Sequence, residues 1–360
     1  MGNYNEIINT STWQEQSWLN SGGTRNKKIL SYENNIYYFK ESFRKGDDKF
    51  YKYEFYSEVI ASFIGEMIGL DVLKYNIAIY KNQIGCLSKS MINNDEELIE
   101  AGKYIKAFDN TFIIDNENPK EKYTFELIIK TLQEFSLVEN VEKLIDVIIF
   151  DSILGNSDRH QENWGFIAQN TIWVESLNEL EKTITGGVSK YESIIRKTIS
   201  FTSKFLSKNK GNFDNTDLVN EIAKIKLSTN RKVRFSPIYD SGCCLGRELT
   251  EDKIEQLHKN EQQLLKYINN GKAEIHWIGK KIPHFQLLKS LINNDGENIK
   301  DRINILISKF DKRLFSDFIN NLDVNIPSEF EEYRISNIRK EFIVKLVTLR
   351  IETLQKLINE

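Results

Sequence analysis

Residues 154–167 read LGNSDRHQENWGFI, where the helically spaced apolar run VEKLIDVIIFDSIL (141–154) gives way to an aromatic, strand-like stretch. Within it Asp158 precedes Asn163 by five positions. A loop of that length presents a carboxylate that accepts or orients a hydroxyl proton beside an amide oxygen that holds a metal ion, the pair that phosphoryl transfer requires. Alone, a D-x-x-x-x-N pair is common, so its meaning depends on its flanks.

Downstream, FSPIYDSGCC (235–244) sets Asp240 at the end of a short apolar run that reads as a strand, followed by Ser241 and Gly242. Such an Asp suits a second metal-binding carboxylate, with the glycine letting the chain turn away sharply. A plain Asp-Ser-Gly turn closing a strand accounts for the same residues. Upstream, KILSYENNIYYFK (28–40) alternates in short runs about Asn34 and Asn35, and YNIAIYKNQIGCLS (75–88) does so about Lys81, Asn82 and Gln83. Two hairpins are predicted. Between them, YKYEFYSEVIASFIGEMIGL (51–70) spaces Phe55, Val59, Phe63 and Met67 four residues apart, which predicts an amphipathic helix packed on a sheet, with Gly69 as its left-handed cap.

Alternation in the first hairpin puts Ile36, Tyr38 and Lys40 on one face, and a lysine there reaches nucleotide phosphates. Glu58 on the following helix is placed to pair with it, with Glu54 one turn earlier as a competitor. NSGGTRNKK (20–28) offers Ser21, Gly22, Gly23 and Thr24 as a loop able to fold over phosphates through backbone N–H groups. It matches neither G-x-G-x-x-G nor G-x-x-x-x-G-K-[ST], and a surface turn explains it equally well.

From about residue 95 the spacing is mostly helical, as in FELIIKTLQEF (125–135), EQQLLKYINN (261–270) and EFIVKLVTLRIETLQKLI (341–358). The fold class expected is α+β: a two-lobed, protein-kinase-like arrangement with a small β-rich N-lobe over residues 1–91 and a mainly helical C-lobe over 92–360. A weakly patterned stretch at about 170–234 reads as an insertion.

The chain has 360 residues, 40% hydrophobic and 28% charged, the balance of a folded globular protein. Its net charge of -3 gives no general attraction to nucleic acid or anionic lipid, so no direct nucleic-acid partner is expected. Asp146 and Asp151 interrupt the longest central apolar run, and the first residues lack a basic stretch followed by an apolar one, so neither a membrane span nor a signal peptide is expected. Three cysteines, two of them adjacent, and four scattered histidines form neither a disulfide framework nor a zinc spacing, which points to a reduced, cytoplasmic setting.

Glycine loop, strand lysine, helix glutamate, hairpin, helices, D-x-x-x-x-N and strand-ending Asp fall in one functional order. On LGNSDRHQENWGF (154–166), SPIYDSG (236–242), SEVIASFIGEMIGLDV (57–72) and RKEFIVKLVTLRIE (339–352) the chain resembles the HipA-like serine/threonine protein kinases, most nearly the small CtkA-type ones. The resemblance implies ATP and Mg2+ as cofactors, Asp158 as catalytic base, Asn163 and Asp240 as magnesium ligands, and Lys40 as the phosphate-binding lysine. It implies adenine contacts through the backbone of a connector formed by Leu87, Ser88, Lys89 and Met91. Arg159 and His160 join the catalytic set, because D-R-H also resembles the catalytic loop of phosphoinositide kinases; for His160 a packed residue bracing the loop is the competing account. Trp164 and Phe166 are expected to anchor the loop in the core.

A protein substrate with a serine or threonine acceptor, a bacterial cytoplasmic setting, autophosphorylation near Ser21 and Thr24, a toxin or effector role and an antitoxin-like partner follow from the same resemblance. The insertion, with Lys204, Lys208 and Lys210, is expected to border the cleft and take part in docking. Its length sets Asn163 and Asp240 further apart than the family layout suggests. Two other classes fit the residues: a small-molecule or phosphoinositide-type kinase, and a non-catalytic ATP-binding module on the same fold.

Overall fold

In the computed structural model, which describes residues 4, 6–17, 27–45, 49–114, 120–169, 233–295 and 297–360, the chain enters through two short strands, β1 (Ile8–Asn9) and β2 (Gln14–Glu15). The first hairpin joins β3 (Lys27–Tyr32) to β4 (Asn35–Glu41). Its turn is Glu33–Asn34, both left-handed at φ 47° and 61°, one residue earlier than the Asn34–Asn35 pair the sequence suggests. Asn35 is instead drawn into the ladder opposite Tyr32. A two-stranded ribbon, β5 (Arg44–Lys45) and β6 (Lys49–Phe50), leads to helix α1 (Glu54–Ile68). The second hairpin joins β7 (Tyr75–Tyr80) to β8 (Gln83–Lys89), with Lys81 left-handed in its turn. These strands form a six-stranded sheet in the order β1-β7-β8-β4-β3-β2.

Helix α1 ends at Gly69, whose φ of 82° is the left-handed cap expected of it. The helix is not amphipathic: every residue but Glu66 is buried. The sheet covers one side through β7 and β8. C-lobe residues cover the other, with Phe63 stacked on Phe318 at 3.7 Å and Phe55 near Tyr333. A helix wedged between two lobes has little wet face, so the apolar spacing marked a helix but understated its burial.

The chain then forms β9 (Glu96–Glu100), α2 (Ala101–Phe108), α3 (Phe125–Glu134), α4 (Val141–Leu154), β10 (Gly165–Gln169) and β11 (Val233–Phe235). Strand β10 lies between β11 and β9 in a three-stranded antiparallel sheet at the top of the helical lobe. Strand β9 was not foreseen, because EELIE is short and largely acidic. Ala168 pairs with Val233, so the chain leaves and returns to one place; residues 170–232, which carry most of the expected insertion and Lys204, Lys208 and Lys210, lie outside the described residues.

Helices α5 (Glu251–Lys259), α6 (Glu261–Asn270), α7 (His284–Asp295), α8 (Glu297–Ile307), α9 (Lys312–Asn321) and α10 (Asn337–Asn359) complete the C-lobe. Helix α10 is its axis and packs on α4 and on each of α5, α6, α7, α8 and α9. Ser336 starts it by accepting the Arg339 N–H at 3.2 Å. No helix among the described residues is long and apolar enough to cross a membrane.

Candidate active site

Lys40 ends the buried half of β4 and is only 5% exposed, so its ammonium requires partners. It has two: Nζ donates to Glu58 Oε1 and to Asp240 Oδ1, the latter at 2.6 Å. Glu58 uses its other oxygen, Oε2, to accept the Ser241 backbone N–H at 2.8 Å. The competitor Glu54 pairs instead with Arg247. Strand lysine, helix glutamate and downstream aspartate are thereby joined across the two lobes.

Asp240 is not at the end of a strand. β11 stops at Phe235, Ile238 makes one isolated parallel bridge to Val72, and Asp240 is left-handed with φ 53°. Pro237 supplies no ladder N–H, which ends the strand early. Gly242 does not provide the turn either. A Cβ there would lie 3.0 Å from Glu58 Oε1 and 3.2 Å from Glu54 Cγ, so the glycine permits close approach to α1.

The loop after α4 begins at Gly155, a left-handed cap with φ 68°. Asn163 Nδ2 donates to the Asp158 carbonyl at 2.7 Å and Asn163 N–H to the His160 carbonyl at 3.0 Å, which folds the loop back on itself. With its amide nitrogen spent there, the oxygen is the atom of Asn163 suited to a metal. Trp164 and Phe166 are buried as expected, Trp164 donating to Tyr123 Oη at 2.7 Å while that hydroxyl donates to the Arg159 carbonyl.

Arg159 is 1% exposed and points away from solvent into a set of acceptors. It donates to Asp151 through Nε (3.0 Å) and Nη2 (2.9 Å), to the Asn163 carbonyl (2.8 Å), the Tyr239 carbonyl (2.5 Å) and Ser241 Oγ (3.0 Å). Burial opposes its charge, but the Asp151 carboxylate outweighs burial and raises its pKa. The guanidinium fork thus fixes the Asn163 and Asp240 segments relative to each other. His160 is half-buried: its Nδ1 accepts the Glu162 N–H at 3.3 Å.

Of the connector residues, Leu87, Ser88 and Lys89 lie inside β8, where Leu87 and Ser88 are paired with β4 on one edge and β7 on the other. The Leu87 and Ser88 backbone groups are committed to the ladders, and Leu87 packs on the face opposite Lys40, with Leu30, Phe39 and Tyr80. Only Met91 lies beyond the strand, its carbonyl accepting from Arg234. Ser21, Gly22, Gly23 and Thr24 lie outside the described residues.

Arg247, Cys243 and Asp151 were not foreseen as parts of the site. Asp151 carried a signal: a carboxylate inside an apolar helix has to meet a buried cation, and Arg159 follows eight residues on.

A small sheet lobe with one embedded helix above a helical lobe, with the charged cluster at their junction, is the two-lobed protein-kinase-like α+β fold. It matches the crystal structure of the Helicobacter pylori proinflammatory kinase CtkA with a TM-score of 0.68 over 98% of both chains, at 19% identity. In sequence the chain is 28% identical over 150 residues to the serine/threonine-protein kinase CtkA of Helicobacter pylori strain J99, a match spanning 41% of this chain and 45% of the relative. Shewanella oneidensis HipA, solved with HipB and operator DNA, aligns over 94% of this chain and 65% of its own at 11% identity and a TM-score of 0.44. No family model matches the chain. The resemblance to CtkA-type kinases and the fold class expected from the sequence are both borne out.

Proposed function

We propose that this chain is a serine/threonine protein kinase that uses ATP and Mg2+ to phosphorylate a protein. The observation that carries this is Lys40, buried and held between Glu58 and Asp240 beside the Asp158–Asn163 loop. In this reading Lys40 contacts the nucleotide phosphates, Glu58 positions it, and Asp158 accepts or orients the acceptor hydroxyl. Arg159 is a positioning residue, since all its donors are spent on protein acceptors.

Asn163 and Asp240 offer an amide oxygen and a carboxylate, hard donors that fit Mg2+, which is held by few protein ligands and completed by phosphate oxygens and water. Bound there, the ion would neutralise charge developing on the transferred phosphoryl group. In this reading the adenine meets the backbone at the end of β8, about Lys89 to Met91, where pairing with β7 has stopped at Ser88. Autophosphorylation at Ser21 or Thr24, a bacterial toxin or effector role and an antitoxin-like partner rest on the resemblance alone.

The test is incubation with γ-labelled ATP and Mg2+ in the presence of a cell extract, a phosphoinositide mixture or an aminoglycoside. Label on serine or threonine of proteins is expected. Label confined to lipid or aminoglycoside assigns a different kinase class, and nucleotide binding without transfer to any acceptor assigns a non-catalytic module.

A further inference from the structure

The segment that follows Asp240 runs between α1 and the Asp158 loop and touches both. Ser57 Oγ donates to the Cys244 carbonyl at 3.3 Å, and the Leu245 N–H reaches the Leu154 carbonyl at 3.2 Å. Within it the Cys243 thiol donates to Asp158 Oδ2, with Sγ 3.0 Å away, while the same sulfur accepts from Arg247 Nη2 at 2.9 Å. The other arm of Arg247 pairs with Glu54, whose side chain is 1% exposed, and its guanidinium lies 4.2 Å above the Tyr51 ring.

We propose that Cys243 and Arg247 are positioning residues that fix the carboxylate of Asp158 from helix α1. This rests on Asp158 having the role given it above. A thiol is a weak donor and a weak acceptor, and by itself would hold a carboxylate poorly. Here the sulfur is pinned by a planar guanidinium, and that guanidinium is pinned in turn by a buried carboxylate and an aromatic face. Glu54 and Glu58 are one turn apart on the same side of α1. One rigid helix therefore sets both halves of the site: Glu58 places Lys40 and the Ser241 backbone, and Glu54 places Asp158 through Arg247 and Cys243. Displacing a reacting group by about 1 Å costs on the order of 100-fold in rate, so a chain of contacts ending on Asp158 acts on turnover rather than on nucleotide affinity.

The experiment uses the full chain with the acceptor on which wild type is active, measuring kcat, KM for ATP and thermal midpoint for Cys243→Ala, Cys243→Ser, Arg247→Met and the Cys243→Ala/Arg247→Met double variant. Cys243→Ala is expected to lower kcat by about tenfold or more, with KM for ATP and the thermal midpoint close to wild type. Cys243→Ser, which restores a donor, is expected to recover turnover relative to alanine. Arg247→Met is expected to lower kcat similarly, and the double variant to fall little further, because both act through one chain. Unchanged kcat in Cys243→Ala, equal loss in alanine and serine variants, or fully additive losses in the double variant would each overturn the proposal. If Arg247→Met fails to fold, Arg247→Lys replaces it, with the same non-additivity expected. Failure of the kinase reading itself is seen separately, as wild type that transfers phosphate to no protein acceptor.

Discussion

Glu58 accepts the backbone N–H of Ser241 at 2.8 Å across 183 residues of sequence. Since its other oxygen holds Lys40, one carboxylate binds β4 to the residue after Asp240. Glu58→Gln replaces one acceptor by an NH2 group, which then faces either an ammonium or an N–H. Breaking a buried ion pair costs about 3–5 kcal/mol, and the lower end is expected here because Asp240 still partners Lys40. The variant should show a lower denaturant midpoint and a raised KM for ATP. Wild-type values in both would remove Glu58 from its assigned role.

Asp158→Ala and Asp240→Ala should separate by kinetic parameter. Loss of the group that accepts or orients the hydroxyl leaves nucleotide binding intact and lowers turnover by about 100-fold or more. Loss of Asp240 weakens Mg2+-dependent nucleotide binding as well, read by titration with Mg-ATP against ATP and EDTA. Near-normal turnover in either variant would reverse the assignment.

Arg159 is the residue whose loss should be felt most in folding. Arg159→Lys keeps the charge but cannot span Asp151, two carbonyls and Ser241 Oγ from a single nitrogen. Arg159→Ala leaves Asp151 buried without its cation, a loss of about 3–5 kcal/mol. Urea titration should rank wild type above Lys above Ala. An alanine variant as stable as wild type would show the network to be dispensable.

His284 supplies a pH dependence. Burial, with Arg350 and Lys281 nearby, lowers its pKa from 6.5 to about 3, and neither ring nitrogen has a hydrogen-bond partner among the described residues. The native imidazole is therefore neutral where the unfolded one takes up a proton. Its share of stability is complete above pH 6.5 and declines as pH falls toward 3, by up to about 1.4 kcal/mol per pH unit. His284→Leu should flatten the fall in urea midpoint between pH 7.5 and 4.5. An identical slope in the variant would show that His284 is not its source.

The helices were legible because period and length agree: VEKLIDVIIFDSIL and EQQLLKYINN coincide with α4 and α6 from end to end. Lys40, Glu58, Asp158, Asn163 and Asp240 were legible as types in an order, and the fold gathers Lys40, Glu58 and Asp240 directly. The contacts that hold them were not, because they come from tertiary approach rather than local pattern. Arg159 meets Ser241 across 82 residues, and Arg247 meets Glu54 across 193. Gly242 looked like a turn residue and proves to be a spacing residue, a distinction that depends on what lies opposite it.

The pairing of Ala168 with Val233 has an evolutionary corollary. Two chain ends already sewn together by a ladder let a change in the number of residues between them be absorbed at the seam, as long as β10 and β11 stay paired. The stretch can lengthen, shrink or be exchanged by recombination at that seam while Asp158, Asn163 and Asp240 keep their register. A lineage can therefore vary the sequence between the two strands without rebuilding the centre beside them.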